Sequence, residues 1–202
     1  MKCLFKIMAL SLSFKSIVCA IILFWLTESA LVAQSMPVPI RVQYPLFLKM
    51  ITYNRNLKAG TSDTIVLGVL YQQNFRSSLN VKEEFLTLMT EFPVKSVDGA
   101  PIRGIPINLS AEVDLGGELL KYKINVLYVT PLRAAGIESI SAITRAAKVL
   151  TVTGVTEYVE SGLSAGVGVK GEKPLLIINL PACKAEGADF DSRLLELARV
   201  IR

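Results

Sequence analysis

Three stretches of this chain are apolar and β-branched almost without interruption. They cover residues 64–71, 124–130 and 149–153. A strand with one face in water alternates apolar with polar residues, whereas a strand buried on both faces does not. The first two runs are each followed by a segment with the period of a helix, at residues 74–89 and 134–148. Strands and helices in alternation predict a largely parallel sheet covered by helices on both faces.

Two further segments add to this pattern. Residues 45–57 also have a helical period, and Pro45 suits a first helical turn. Residues 165–179 are typical of a β-hairpin, because two apolar runs flank a glycine-containing connection.

The chain is expected to close with a helix that begins near Asp191 or Ser192. The apolar face of this helix would consist of Leu194, Leu197 or Ala198, and Ile201. Residues 34–44, which contain two prolines, are expected to form an extended lead-in. We therefore predict a single three-layer α/β domain over residues 45–202. Its mixed, mostly parallel sheet is flanked by helices and is followed by the C-terminal β-hairpin and the closing helix.

Residues 1–33 have the features of a signal peptide. Three lysines accompany an uncharged apolar run at residues 17–26, which is too short to span a bilayer, since spanning takes about 20 residues. We expect cleavage after Ala33, or alternatively after Ser35, and hence export of the mature chain. An uncleaved anchor and a lipoprotein attached at Cys19 are the other interpretations, although Cys19 lies inside the apolar run.

Composition excludes several classes of function. The 202 residues contain no histidine, which removes imidazole metal sites, Ser-His-Asp and Cys-His nucleophiles, and a histidine pH switch. Cleavage after residue 33 removes three Lys and one Glu, so the net charge falls from +5 to +3. The remaining basic residues are scattered, and we expect no nucleic-acid partner. Cys183 is then the only cysteine, so it is either buried or able to link two chains in a homodimer.

Two glycine motifs suggest chemistry that their surroundings do not support. Residues 162–166 match G-x-S-x-G around Ser164, but that nucleophile needs a histidine base and a following helix. We interpret Ser164 as part of a flexible lead-in to a strand. Residues 166–171 match G-x-G-x-x-G, but a dinucleotide site needs a helix at the last glycine, and Pro174 follows instead. We therefore predict no catalytic residue and no cofactor.

Three carboxylate pairs are candidates for a metal site, namely Glu83 with Glu84, Glu112 with Asp114, and Asp189 with Asp191. A Ca²⁺ site needs six to eight oxygen ligands, so we predict no metal site. Asp189 and Asp191 stand where a helix begins, and acidic side chains there cap free N–H groups.

The tail of the chain carries a family resemblance. Residues 172–180, 182, 185–188 and 192–200 resemble the end of YfiR-type periplasmic proteins. That family closes with a strand ending in Ile-Asn, a short glycine-containing helix, and a Ser-x-x-Leu-Leu-x-Leu-Ala helix. The last motif is one residue shorter here. The family's aromatic-x-x-Trp-Pro element at the end of the first helix is absent, since residues 50–55 read Met-Ile-Thr-Tyr-Asn-Arg.

The resemblance implies a non-enzymatic exported regulator. It would bind the periplasmic domain of an inner-membrane receptor, such as a diguanylate cyclase in cyclic di-GMP signalling or a sensor kinase. A periplasmic small-molecule-binding protein, acting as a solute sensor, is the alternative. The resemblance assigns no ligand-binding or partner-binding residue in this sequence.

Overall fold

The computed structural model describes residues 36–57, 64–94, 96–109 and 113–202. The expected signal peptide lies outside these residues. In the described part of the chain, no helix is both long and apolar enough to cross a membrane.

The described residues form seven α-helices and eight strands. The helices are α1 Ile40–Thr52, α2 Arg76–Glu91, α3 Leu115–Lys121, α4 Ile137–Ala147, α5 Thr156–Glu160, α6 Leu180–Ala185 and α7 Ser192–Leu195. The strands are β1 Ile65–Tyr71, β2 Ser96–Val97, β3 Ala100–Asn108, β4 Val126–Val129, β5 Leu150–Thr153, β6 Ala165–Lys170, β7 Lys173–Asn179 and β8 Ala198–Ile201.

The strands make one mixed sheet in the order β2-β3-β1-β4-β5-β6-β7-β8. The five strands from β3 to β6 in this order are parallel. Strand β7 runs antiparallel to β6, and β8 runs parallel to β7. Helices cover both faces, so the predicted three-layer α/β fold class is confirmed. The hairpin is confirmed as well, with Gly171 at φ +63° in its turn.

The uninterrupted apolar runs are buried on both faces, as their sequences predict. On one face, side chains of β1, β4, β5, β6 and β7 pack against α1, α2, α6 and α7. On the other, β1, β4 and the end of β3 pack against α3, α4 and α5. The first core contains the Phe85 and Tyr128 rings, which stack with their centroids 4.2 Å apart.

The expected extended lead-in is wrong over residues 40–44. Helix α1 begins at Ile40, places Pro45 in its interior and ends at Thr52 rather than at residue 57. A proline there removes one backbone hydrogen bond. Burial offsets that cost, because Val38, Ile40 and Tyr44 are each at most 2% exposed.

The closing helix begins as predicted but is short. Helix α7 ends at Leu195, and residues 198–201 pair with β7 as strand β8. Leu197 is 64% exposed, so the expected apolar stripe is wrong beyond Leu194. The edge of β7 offers hydrogen-bond partners to these residues, and that pairing overrides the helical pattern of the sequence.

Candidate functional site

The order of strands reverses beside β1. The chain passes from β1 to β3 on one side and then crosses to β4 on the other. In open α/β sheets, ligands bind outside the carboxyl ends of the strands at such a switch point. Here the ends of β1, β3 and β4 border a depression of about 470 Å³, which we call the carboxyl-edge cleft. It is lined by Gln72, Gln73, Asn74, Phe75, Asn108, Leu109, Arg133 and Ala134.

A chain of buried hydrogen bonds fixes the strand ends beneath this cleft. The Gln72 N–H donates to the Ser78 hydroxyl at 2.8 Å, and the Thr130 hydroxyl donates to the Leu70 carbonyl at 2.8 Å. The two hydroxyls are 2.6 Å apart. Since Thr130 donates to Leu70, Ser78 is the donor between them. Both hydroxyl side chains are fully buried, so this continuous arrangement leaves neither of them unpaired.

Amide side chains tie the rim of the cleft together. The Gln72 side chain accepts a hydrogen bond from the Arg133 N–H at 2.7 Å and donates to the Arg133 carbonyl at 3.1 Å. The Gln73 N–H donates to Asn108 Oδ1 at 3.1 Å. Ala134 adopts φ 51°, a left-handed conformation that costs roughly 1–2 kcal/mol outside glycine. The segment after β4 is therefore tied to the segment after β1 by the two bonds between Gln72 and Arg133.

Arg133 brings a positive charge to the cleft. Its guanidinium lies over the Phe75 ring, 5.1 Å from the ring centroid. Among the described residues, Arg133 has no ion pair, and the cleft lining includes no acidic side chain. The sequence signal for this site is the run of three amides at residues 72–74, which directly follows the first apolar run. The carboxyl ends of parallel strands meet at one edge of a sheet, so polar residues placed there can line a site.

Ser164 of the G-x-S-x-G motif belongs to a buried structural network. It is fully buried and donates to the Glu186 carboxylate. That carboxylate, 2% exposed, also accepts from the Thr144 hydroxyl at 2.7 Å and the Thr151 N–H at 2.7 Å. Burial raises the pKa of Glu186, and the hydrogen bonds from Ser164, Thr144 and Thr151 oppose that rise. Our interpretation of Ser164 as a flexible lead-in is wrong, since the serine has no contact with solvent.

The other sequence motifs have structural roles. Residues 166–171 lie in β6 and its turn, without a helix after the last glycine. Asp191 accepts from the Arg193 N–H at 3.0 Å and caps α7. Cys183 is buried, the first of the two alternatives that the sequence left open, and burial raises the pKa of its thiol to about 12.

The acidic pairs do not come together. Glu83 and Glu84 form exposed ion pairs with Lys82 and Arg41, and Glu112 lies outside the described residues. Within the described ranges, no three Asp, Glu or Cys side chains converge as a metal site would require.

A second surface lies at the other end of the sheet. We call it the hairpin groove, a depression of about 880 Å³ between α5, the hairpin and β8. Val169 and Leu197 line it, and they are 45% and 64% exposed. At its rim, Arg199 pairs with Glu160 at 2.7 Å. The groove thus has an apolar centre and a charged rim.

A third depression, of about 440 Å³, lies at the amino ends of the strands. Its lining includes Leu57 and Thr64, which border residues 58–63, outside the described chain. We assign no function to it.

Comparison with models of known families gives a match over most of the α/β domain. The model of a family described as YfiR/HmsC-like matches residues 46–199. A search of curated proteins finds no significant match.

Several solved structures share the fold. A structure entitled the ABC domain in complex with L-Trp, from Streptococcus pneumonia, has 14% identity and a TM-score of 0.57, covering 81% of this chain and 62% of that one. A conserved domain protein from Vibrio cholerae has 16% identity and a TM-score of 0.56, with coverages of 81% and 60%. The ligand-free, open structure of a substrate binding protein with adhesive properties from Clostridium difficile has 20% identity and a TM-score of 0.55, with coverages of 82% and 60%. The chain spans about three fifths of the length of these proteins, and at these identities the likeness shows the fold alone.

Proposed function

Since the chain belongs to the YfiR/HmsC-like family, we propose that it is an exported, non-enzymatic regulator that binds the periplasmic domain of an inner-membrane signalling receptor. The observation that carries this proposal is the family match, which extends over residues 46–199 and thus over nearly all of the α/β domain. If the receptor is a diguanylate cyclase, the protein would regulate the synthesis of cyclic di-GMP. If the receptor is a sensor kinase, it would regulate phosphorylation.

The hairpin groove is the surface that we propose for the receptor. Five large apolar side chains in the described residues are exposed, and two of them, Val169 and Leu197, lie in this groove. Protein interfaces combine an apolar centre with a polar rim, and Glu157, Lys170 and Glu196 supply charges of both signs beside these two side chains. A receptor segment with apolar side chains flanked by charged ones would complement this surface.

A regulator of this kind works by a shift in populations. It changes receptor activity only if it binds one receptor conformation more tightly than the other. A repressor must therefore favour the inactive conformation. The strands that carry the hairpin groove are paired with their neighbours in the sheet, which suits this role, since little order has to be gained on binding.

The geometry of Ser164 supports a non-enzymatic function. A serine nucleophile needs an activating base and access to substrate. The chain has no histidine, and Ser164 is fully buried against Glu186. Its hydroxyl donates its hydrogen bond to the Glu186 carboxylate and is therefore not available as a nucleophile.

A crosslinking pull-down from inner membranes tests the proposal directly. The exported protein should capture a membrane receptor, and deletion of its gene should raise cyclic di-GMP if that receptor is a cyclase under repression. Leu197→Glu should reduce capture at least tenfold. Leu120→Glu is the matched control, because Leu120 is 71% exposed but lies on α3 outside the groove.

Two outcomes would count against the proposal. Capture of no membrane protein, with unchanged cyclic di-GMP in the deletion strain, removes the regulator function. Equal loss of capture in the Leu197→Glu and Leu120→Glu variants removes the hairpin groove as the contact surface.

A small-molecule-binding protein is the second candidate. It is favoured by the fold, since two similar structures are named as a complex with L-Trp and as a substrate binding protein. The position of the carboxyl-edge cleft at the switch point of the sheet agrees with it. Thermal-shift screening of the exported protein against metabolites separates this candidate from a regulator that binds protein only.

A further inference from the structure

We propose that the carboxyl-edge cleft is a binding site for a small organic anion with a flat apolar body, and that Arg133 is its anchor. The inference goes beyond receptor binding, which it does not require. It deepens the second candidate function by naming the site and the chemical class of the ligand.

Charge is the first argument. Arg133 is the one charged residue that lines the described part of the cleft, and the polar residues around it carry neutral amides. A guanidinium presents a fork of N–H donors that matches a carboxylate or phosphate group. Because Arg133 has no ion pair among the described residues, an incoming anion does not compete with an internal carboxylate.

Orientation is the second argument. The guanidinium of Arg133 lies 5.1 Å from the centroid of the Phe75 ring, so the side chain is folded against the protein. Its backbone is held at both N–H and carbonyl by the Gln72 side chain. A donor that is already fixed loses less conformational entropy on binding. The ring contact and the backbone bonds to Gln72 restrict Arg133 more than a freely solvated surface charge, which favours a ligand site.

The apolar residues define the rest of the ligand. Phe75 and Leu109 line the cleft beside Arg133, and both are partly buried. They offer apolar surface to the body of a ligand whose anionic group faces the guanidinium. The volume of about 470 Å³ falls within the range of small-molecule sites, roughly 300–1,000 Å³.

Three probe molecules separate charge from shape. Benzoate carries the ring and the charge, benzamide has the same ring without the charge, and acetate has the charge without the ring. Binding to the protein purified from the periplasm would be measured by NMR titration. We expect saturable benzoate binding at least tenfold tighter than that of benzamide or acetate, with the largest shifts at Gln72, Phe75 and Arg133.

Variants locate the site. Arg133→Gln should weaken benzoate binding at least tenfold without changing the melting temperature, because the side chain is exposed. Arg202→Gln makes the same change of charge at an exposed residue after β8 and should leave affinity within twofold. Phe75→Leu should weaken binding less than Arg133→Gln does, because this variant keeps the guanidinium and loses only the aromatic ring against which it lies.

The proposal is overturned if benzoate does not bind saturably, if benzamide binds as tightly as benzoate, or if Arg133→Gln and Arg202→Gln behave alike. None of these results affects receptor capture, which is measured separately with the Leu197→Glu variant. The failure of either proposal is therefore recognisable without the other.

Discussion

Replacing Ser164 by alanine tests whether the buried Glu186 network stabilises the fold. The Ser164 hydroxyl donates to the Glu186 carboxylate, and both side chains are at most 2% exposed. A hydrogen bond to a charged group contributes about 1.5–3 kcal/mol to stability. We expect Ser164→Ala to lower the free energy of unfolding by that amount at pH 7. For a domain of this size, 1 kcal/mol corresponds to about 2–4 °C in melting temperature.

The loss of stability in Ser164→Ala should also depend on pH, and the direction of that dependence follows from the pKa of Glu186. Burial raises that pKa above the unfolded value, so the contribution of Glu186 to stability is greatest below the unfolded pKa and falls as pH rises through the folded one. The Ser164 hydrogen bond holds the folded pKa down, so the variant should have a still higher one. The destabilisation by Ser164→Ala should therefore be larger at pH 7 than near pH 4.

Urea unfolding followed by circular dichroism measures this effect at both pH values. Ser161→Ala is the matched control, because Ser161 is exposed three residues earlier in the chain, and its midpoint should remain near that of the wild type. A Ser164→Ala protein that unfolds at the wild-type urea concentration would refute the reasoning. A loss of stability that is the same at both pH values would refute the role of the Glu186 charge.

Three other outcomes are expected. Leu194→Asp should unfold the domain, because Leu194 is fully buried and large core truncations alone cost about 2–5 kcal/mol; circular dichroism checks this, with exposed Leu197→Asp as the control. Cys183 should resist iodoacetamide at pH 8 in the native protein and react in urea, since the pKa of its thiol is about 12; labelling of the native protein would contradict its burial. N-terminal sequencing of the exported protein should place its start between Gln34 and Met36, and a full-length membrane-embedded product would contradict the signal peptide.

The sheet was predictable because the sequences of its central strands are apolar almost without interruption. A run such as residues 64–71 has no polar side, so burial on both faces was the interpretation that matched it. The tail was less predictable. Residues 198–201 form a strand because β7 offers them a free edge, and an edge is a tertiary feature that no local period reveals. The start of α1 was also missed. A proline often occupies the first turn of a helix, but Pro45 lies in the interior of α1, which begins five residues earlier at Ile40.

The candidate site was harder to predict than the fold. The Gln72 side chain binds the Arg133 backbone, 61 residues away in the sequence. This contact exists because β1 and β4 are neighbours in the sheet. The pairing of Ser164 with Glu186 depends on where α6 ends, since Glu186 follows that helix and also accepts from Thr151 of β5. In both cases, the sequence shows which residue types are present. That they lie close together can be predicted only once the order of the strands in the sheet is known.

We expect strand β8 to protect the protein from aggregation. Its four residues cover the edge of β7, whose sequence from Leu175 to Ile178 is entirely apolar. An uncovered apolar edge is a template on which further strands assemble. Strand β8 itself is a poor template, because it is short, carries Arg199 and is followed by Arg202. A chain that ends at Leu197 would keep most of its core and expose this edge, so we expect it to form intermolecular sheets where the intact protein stays dispersed.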